Sequence, residues 1–225
     1  MTHEEFSRPE NPERSLEGTD EGAEDRTSDT SSADHTPRED ETEETRRLQE
    51  EIARLREKLK ELQTDTLTGA MNRAGLEGEA ERFDQLGQRS EQKEHREQGP
   101  KPLNVVFVDL NGFKPVNDTY GHEVGDEILK EVVAQLQGAL RSSDMVVRYG
   151  GDEFLVVFEA DTSGRATVVY KVREAIGRAR IEREGTEIGI GASVGVATHK
   201  PGETLNDTIA RADEAMYQEK GDTGR

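Results

Sequence analysis

Apolar residues recur at two kinds of spacing along the chain, and each spacing predicts a type of element. Between residues 48 and 62 they lie alternately four and three positions apart, which is typical of a helix with one narrow apolar seam. Continuous apolar runs of strand length occupy 103–108 and both sides of a Gly-Gly-Asp-Glu turn at 150–153. Broader helical patterns occupy 74–98, 123–140, 164–182 and 205–220, and a glycine-rich strand is predicted at 187–198.

The order of these elements predicts the fold class. After the seam-bearing helix come a helix, a strand, a helix, a strand–turn–strand hairpin, a helix, a strand and a helix, with a loop expected at 110–122. Such an order predicts an α+β fold, in which a central, mostly antiparallel sheet carries helices on its faces.

The seam-bearing helix, residues 45–64, predicts a coiled coil that joins two copies of the chain. Its other faces are almost entirely charged, and a parallel dimer would set Glu51 against Arg56 of the partner copy. The alternative is an amphipathic helix packed on its own domain. Since the segment has fewer than three heptads, we expect only a weak homodimer from it. The seam consists of Leu48, Ile52, Leu55, Leu59 and Leu62.

Residues 1–44 differ from the rest of the chain in composition. They hold 16 acidic residues against four arginines, and their one aromatic residue is Phe6. So little apolar surface cannot offset the entropy lost on ordering, and we expect a disordered acidic tail. The sequence therefore predicts three parts: a tail at 1–44, a coiled-coil helix at 45–64 and one folded domain at 65–225.

Composition narrows the range of functions. The chain contains no cysteine, which excludes disulfides and thiolate chemistry. Its net charge of −19 disfavours binding to nucleic acid. Neither a signal-peptide pattern at the N-terminus nor an apolar run of membrane-spanning length is present, so we expect a cytoplasmic protein without membrane insertion.

Two acidic positions are the first candidates for chemistry. Asp109 ends the strand 103–108, and Asp152 with Glu153 lies in the glycine turn, whose two glycines we expect at positive φ. If the first strand lies beside the hairpin, Asp109 and Asp152 converge and offer oxygen ligands suited to Mg²⁺. The alternative is an exposed turn of ordinary composition.

Three polar residues after Asp109 extend the candidate site. Lys114 could offset the charge of a phosphate group, and Asn117 and Asp126 offer an amide and a carboxylate for recognition of a ligand. Each also has a structural explanation: a solvated lysine, an asparagine in a turn, and an acid in the first turn of a helix.

The motifs together resemble the GGDEF-domain diguanylate cyclases, over residues 65–220. Their order and spacing make the resemblance specific, although each piece alone is weak. The pieces are DTLTG with NR at 65–73, DLNGFKPVND at 109–118, GH and GD at 121–126, RYGGDEF at 148–154, SVGVA at 193–197 and ADEAMY at 212–217.

The resemblance implies a nucleotide-cyclase or polymerase-palm-like sheet and a reaction in which two GTP give cyclic di-GMP and pyrophosphate. It implies Mg²⁺, with Mn²⁺ as a substitute, bound by Asp109, the Leu110 carbonyl and Asp152. Asp152, supported by Glu153, would accept the proton of the 3′-hydroxyl, and Lys114 would stabilise the transition state. Asn117 and Asp126 would read guanine. The implied substrate-binding set is Phe113, Asn117, Asp126, Gly150, Gly151 and Lys220.

A second site is implied by Arg141 and Asp144, which match the Arg-x-x-Asp inhibitory product site that precedes the signature turn in this family. Cyclic di-GMP would then be both product and inhibitor. The alternative is a charged helix end.

The sequence departs from the family pattern at several positions. Asn111 stands where a second acid is common in the family, and Gly112 follows it. Lys220 and Arg225 lie five residues apart, whereas the corresponding Lys and Arg of the family lie four apart. Residues 84–102 are longer and more polar than usual, which indicates a surface extension. Two other classes stay open: a catalytically weak domain that binds cyclic di-GMP or GTP and regulates a partner, and a coiled-coil adaptor without chemistry.

Overall fold

The structure is a computed structural model that describes residues 39–91 and 101–223. Within these ranges the helices are α1 (Glu39–Leu62), α2 (Arg73–Glu91), α3 (Phe113–Tyr120), α4 (His122–Ala139), α5 (Thr162–Arg178) and α6 (Leu205–Thr223). The strands are β1 (Met71–Asn72), β2 (Leu103–Asn111), β3 (Met145–Arg148), β4 (Glu153–Glu159), β5 (Arg180–Arg183), β6 (Thr186–Gly189) and β7 (Gly191–Thr198).

Five strands form the central sheet, in the order β1-β3-β4-β2-β7. The short β1 pairs parallel to β3, and the other neighbours pair antiparallel. The predicted α+β fold with a mostly antiparallel sheet is confirmed. The strand 103–108 does lie beside the hairpin, because β2 pairs with β4 from Leu103 to Asp109.

Side chains alternate along β2 and contribute to two cores, one on each face of the sheet. Val106 and Val108 pack in a cluster with α4 and α5, whereas Val105 and Phe107 pack in a cluster with α2 and α6. Asp109 continues the second series, so its side chain belongs to the face that α6 covers.

The expected loop at 110–122 is wrong, because the structure has helix α3 there. The helix starts with a bond from the Val116 N–H to the Gly112 carbonyl at 3.1 Å. Pro115 lies in the first turn, where a missing N–H costs no helical hydrogen bond. Phe113, Val116 and Tyr120 have helical spacing, but no side chain of α3 is fully buried, and eight residues with a turn-like polar sequence are too few to distinguish a helix from a loop.

The expected strand at 187–198 is divided in two, and helix α5 ends before residue 182. Strands β5 and β6 form a separate two-stranded sheet, and Ile190 separates β6 from β7. The β5–β6 turn consists of Glu184 and Gly185, whose φ angles are 51° and 76°. This two-residue turn was missed because glutamate rarely adopts positive φ.

Helix α1 starts at Glu39 rather than near Thr45, so the part of the predicted tail from 39 to 44 is helical instead of disordered. Residues 1–38 lie outside the described residues, as does the part of the expected extension between 92 and 100. The seam residues of α1 are 46–65% exposed, so the alternative in which this face packs on the chain's own domain is wrong. Among the described helices, none is long and apolar enough to cross a membrane.

Candidate functional site

The acidic residues meet at one edge of the sheet, where β2 ends and β4 begins. Asp109 and Glu153 are direct cross-strand partners, and the Leu110 N–H donates to the Asp152 carbonyl at 3.1 Å. Asp109 and the turn that carries Asp152 are therefore brought together by two adjacent strands.

The backbone of the signature turn, residues 150–153, differs from the prediction. Neither Gly150 nor Gly151 lies at positive φ, so the prediction of a tight turn of that kind is wrong. Instead, the N–H groups of Tyr149 and Gly150 both donate to the Glu153 carbonyl, at 2.9 and 3.2 Å. A Cβ on Gly150 would overlap the end of the Glu153 side chain, so in this conformation the carboxylate occupies the space beside the glycine.

Arg148 joins the signature turn to the segment that follows α1. Its Nε and Nη2 donate to the Gly151 carbonyl at 3.2 and 2.9 Å, and its Nη1 donates to the Asp65 carboxylate at 3.1 Å. Burial alone would raise the pKa of Asp65, but hydrogen bonds from Thr68 and Arg148 hold it below the ordinary value. Sequence reasoning gave Arg148 no role, since its partner is 83 residues away.

Lys220 of α6 supplies a positive charge at the acidic edge. Its Nζ donates to Asp109 Oδ1 at 2.7 Å, and this bond, with the nearby carboxylates, raises the pKa of Lys220. Burial raises the pKa of Glu153, and the charges of Asp109 and Asp152 raise it further. Asp213 of α6 adds to that effect and was missed, because only the fold brings α6 over this edge. Negative charge therefore accumulates where a cation would relieve it.

The oxygen ligands fit a hard divalent cation. Within the described ranges, no group of three or more His, Cys, Asp or Glu side chains is arranged to hold a metal by itself. The oxygen donors available at this edge are the carboxylates of Asp109 and Asp152 and the carbonyl of Leu110. Because the N–H and C=O of one strand residue point to the same side, that carbonyl faces the turn that carries Asp152. Few protein ligands and open positions suit an ion that keeps water and phosphate oxygens.

A second group of candidate residues lies where α3 packs on α4. Asn117 Oδ1 is buried and, among the described residues, has no hydrogen-bond partner. It lies against Gly125, whose missing side chain leaves room for it and for the Phe113 ring. Asp126, the next residue, is half-buried. A buried acceptor without a donor is costly, and a bound ligand with an N–H group would satisfy it.

Lys114 is the other lysine for which a phosphate contact is predicted, and Arg225 aligns less well with the phosphate-binding arginine of the family. The structure places Lys114 on the first turn of α3, where its side chain is exposed. Arg225 lies outside the described residues. Asn111, which replaces the common second acid, accepts a hydrogen bond from Ser193 Oγ at 3.1 Å.

Arg141 and Asp144 lie away from these groups, between α4 and β3. The Arg141 N–H donates to Asp144 Oδ2, and the Asp144 N–H donates to the Arg141 carbonyl, each at 3.0 Å. This closed turn lines a cleft of about 240 Å³ to which Lys101 and Lys171 also contribute. The cleft includes Glu159, at the end of β4 opposite to Glu153.

Comparison with known proteins assigns the chain to a family. The family described as "Diguanylate cyclase, GGDEF domain" matches residues 62–225, and the chain belongs to this family. Members of the family are generally dependent on a divalent metal. The part of the chain from the last residue of α1 to the C-terminus is thus assigned to one family domain.

Individual relatives show the same likeness. The chain is 37% identical over 164 residues to the bifunctional diguanylate cyclase/cyclic di-GMP phosphodiesterase MucR of Pseudomonas aeruginosa, covering 72% of this chain and 22% of that protein. It is 34% identical over 161 residues to the response regulator PleD of Caulobacter vibrioides, covering 70% and 34%. The chain therefore spans about a fifth to a third of the length of these curated relatives.

Solved structures share the fold. The coiled coil and GGDEF domain of DgcB from Caulobacter crescentus, in complex with c-di-GMP, superposes with a TM-score of 0.65 at 28% identity, covering 80% of this chain and 91% of that one. The diguanylate cyclase SiaD from Pseudomonas aeruginosa, in complex with its activator SiaC, gives a TM-score of 0.61 at 29% identity, covering 80% and 71%.

Proposed function

We propose that this chain is a diguanylate cyclase, which condenses two GTP into cyclic di-GMP and releases pyrophosphate. The observation that carries the proposal is the unpaired amide acceptor of Asn117, on the helix that directly follows the acidic end of β2. An acidic edge alone would suit many metal-dependent reactions. The added acceptor supports a substrate that presents both phosphates and a base with N–H groups.

The acidic edge would hold Mg²⁺ through Asp109, Asp152 and the Leu110 carbonyl, and Mn²⁺ could take the same ligands. When bound, such an ion polarises the phosphate and offsets its charge. Asp152 would accept the proton of the 3′-hydroxyl of one GTP. As the 3′-oxygen bonds to the α-phosphorus of the other GTP, the bond to the β-phosphate oxygen breaks and pyrophosphate leaves. A second, equivalent step closes the ring.

Neighbouring side chains would support this transfer. Glu153 shares the edge with Asp152, and burial together with the charges of Asp109 and Asp152 raises its pKa, so a cation bound at this edge would stabilise its charged form. Lys114 and Lys220 would neutralise charge on the phosphates. Gly150 and Gly151 keep the turn free of side chains, so that phosphate can approach its backbone.

Guanine would be recognised between α3 and α4. The Asp126 carboxylate can accept from N1–H and the exocyclic amine, and the Asn117 amide can meet that amine and N3. The oxygen of Asn117 that lacks a partner would then gain one. Phe113, which lies beside Gly125, would pack against the base.

The active form would be a homodimer joined by α1. The product has two equivalent bonds, so two sites, each with one GTP, must face each other. The seam of α1 is exposed along its length, which supports a second copy as its partner. Burying one such leucine is worth about 1.5–3 kcal/mol, and ordering entropy offsets part of that, so a weak dimer is expected.

The cleft at Arg141 and Asp144 would bind cyclic di-GMP as an inhibitor. Arg141 is exposed, and Lys101 and Lys171 line the same cleft, so cationic groups are available for the product's phosphates. An arginine can also contact guanine through two parallel hydrogen bonds.

The test is incubation of the purified chain with GTP and Mg²⁺, with detection of the cyclic dinucleotide by mass spectrometry. Asp109→Asn and Asp152→Asn should each lower turnover about 100-fold or more. Asp118→Asn, an exposed acid on α3, is the matched control and should keep wild-type turnover. Binding of cyclic di-GMP by a chain that never makes it would instead identify a regulatory module.

A further inference from the structure

Lys220 lies on a part of α6 that core packing does not hold. Between Leu205 and Gly221, the last buried residue of this helix is Met216, and Tyr217 after it is 73% exposed. The backbone of the helix at Ala212 and Met216 lies against Gly195 of β7, where a Cβ would not fit. Beyond Met216, the final turn would fray as helix ends do, unless another contact fixes it.

That contact comes from Arg173 of α5, which binds Glu219 with two parallel hydrogen bonds. Arg173 Nη1 donates to Glu219 Oε1 at 2.6 Å, and Nη2 donates to Oε2 at 2.7 Å. The pair lowers the pKa of Glu219 and raises that of Arg173, so both partners are charged. Such a bidentate pair fixes orientation as well as distance.

Both members of the pair are also fastened to the sheet. Arg173 Nη2 donates to the Val194 carbonyl at 3.2 Å, and the Val194 N–H donates to Glu219 Oε2 at 3.2 Å. Ser193, the residue before Val194, is the cross-strand partner of Asp109. The Arg173–Glu219 pair is thus attached to β7 one residue from the position opposite Asp109, and Lys220 follows Glu219 directly.

We propose that Arg173 is a positioning residue for the reaction: through Glu219 and Val194 it holds the last turn of α6 so that Lys220 lies over Asp109. This inference rests on the proposed function. Arg173 itself touches neither Asp109 nor Lys220 in the described contacts. Its effect is therefore expected to pass through Lys220.

The test compares Arg173→Gln in two backgrounds. In the otherwise wild-type chain, we expect kcat/KM for GTP to fall about 10-fold, as for other residues that orient the binding groups of a site without contacting the ligand. In the Lys220→Ala background, where there is no ammonium group left to position, Arg173→Gln should cause no further loss. An additional loss of about 10-fold in that background would overturn the proposal, because Arg173 would then act on the fold in general.

Two further variants distinguish a loss of Lys220 positioning from a general loss of protein stability. Arg178→Gln, which removes an exposed arginine paired with Glu174 on the same helix, should leave kcat/KM unchanged. Arg173→Lys keeps the charge but cannot make both bonds to Glu219, and should recover only part of the loss. Circular dichroism should show folded protein for every variant. If Arg178→Gln loses as much as Arg173→Gln, the proposal is wrong.

Affinity for a non-hydrolysable GTP analogue with Mg²⁺ gives a readout that does not need turnover. Arg173→Gln should weaken this affinity about 10-fold in the otherwise wild-type chain. In the Lys220→Ala background it should leave the affinity unchanged. A wild-type chain that binds the analogue but makes no cyclic dinucleotide would refute the proposed function while leaving this effect measurable. Equal affinity of Arg173→Gln and wild type would refute the positioning role.

Discussion

The buried amide oxygen of Asn117 indicates which hydrogen-bonding group a ligand at this position would need. Its oxygen is buried between α3 and α4 and, within the described part of the chain, unpaired. An unsatisfied buried acceptor destabilises a fold by about 1–3 kcal/mol. A ligand that supplies the missing donor would remove that cost, so under the proposed function Asn117 would discriminate between bases by the hydrogen-bond donors they present.

Asn117→Ala should therefore raise KM for GTP about 10-fold and leave kcat nearly unchanged, as expected for lost binding to the base. The wild-type enzyme should also prefer GTP to inosine triphosphate, which lacks the exocyclic amine. Steady-state kinetics with both nucleotides give the measurement. An unchanged preference in Asn117→Ala would show that this amide does not contact the amine.

At the scale of elements, the contact between Asp65 and Arg148 connects the end of α1 to the signature turn. Asp65 is also held by the Thr68 hydroxyl at 2.6 Å and the Thr68 N–H at 2.9 Å. Three elements of structure thus depend on one carboxylate: the turn after α1, the end of β3 and the Gly151 backbone that Arg148 contacts.

Asp65→Asn should lower the free energy of unfolding at pH 7 by about 1–2 kcal/mol, since charged hydrogen bonds are weakened. The pKa of Asp65 is lowered by folding, so the stability it contributes is present above its ordinary pKa. It is lost as the pH falls through the lowered value. Urea unfolding of both proteins should therefore show a difference at pH 7 that shrinks below about pH 4. A difference that is constant with pH would contradict the assignment.

Elements with strong patterns could be predicted from the sequence, and those without could not. Strands β2 and β4 and helix α4 have long apolar series and appear as expected. Helix α3 has only eight residues and the strands of the β5–β6 hairpin only four each, so their patterns are too short to be distinguished from loops. The convergence of Asp109 with Asp152 followed from neighbouring strands. The pairs Asp65–Arg148 and Arg173–Glu219 join residues 83 and 46 positions apart, and only the fold brings them together.

At the scale of the whole molecule, the exposed seam of α1 predicts that activity depends on protein concentration. In the proposed reaction two copies must meet for each product, and a helix shared by a dimer would convert that encounter into an intramolecular one. Leu55 and Leu59 lie in the middle of the seam and are 58% and 54% exposed in one copy of the chain.

Leu55→Asp with Leu59→Asp should lower specific activity at low protein concentration and recover part of it at high concentration. Ala53→Asp with Lys60→Asp introduces the same side chains away from the seam and should behave as wild type. Activity across a dilution series, together with sedimentation, provides the measurement. Identical curves for the seam variant and wild type would remove α1 from assembly.

The junction after α1 is firmly held. Asn72 Nδ2 donates to the carbonyls of Leu62 and Thr64 at 2.8 and 3.2 Å, and the Asn72 N–H donates to the Gln63 carbonyl at 2.8 Å. A helix joined in this way cannot turn freely on the sheet, and each residue added to it rotates the attached domain by about 100°. In a dimer, the number of residues between the seam and Gln63 would therefore set the angle at which the two sites face each other. Two added residues would rotate each domain by about 200°, which leaves its site about 160° away from the facing orientation. Seven added residues would rotate it by about two full turns and so nearly restore that orientation.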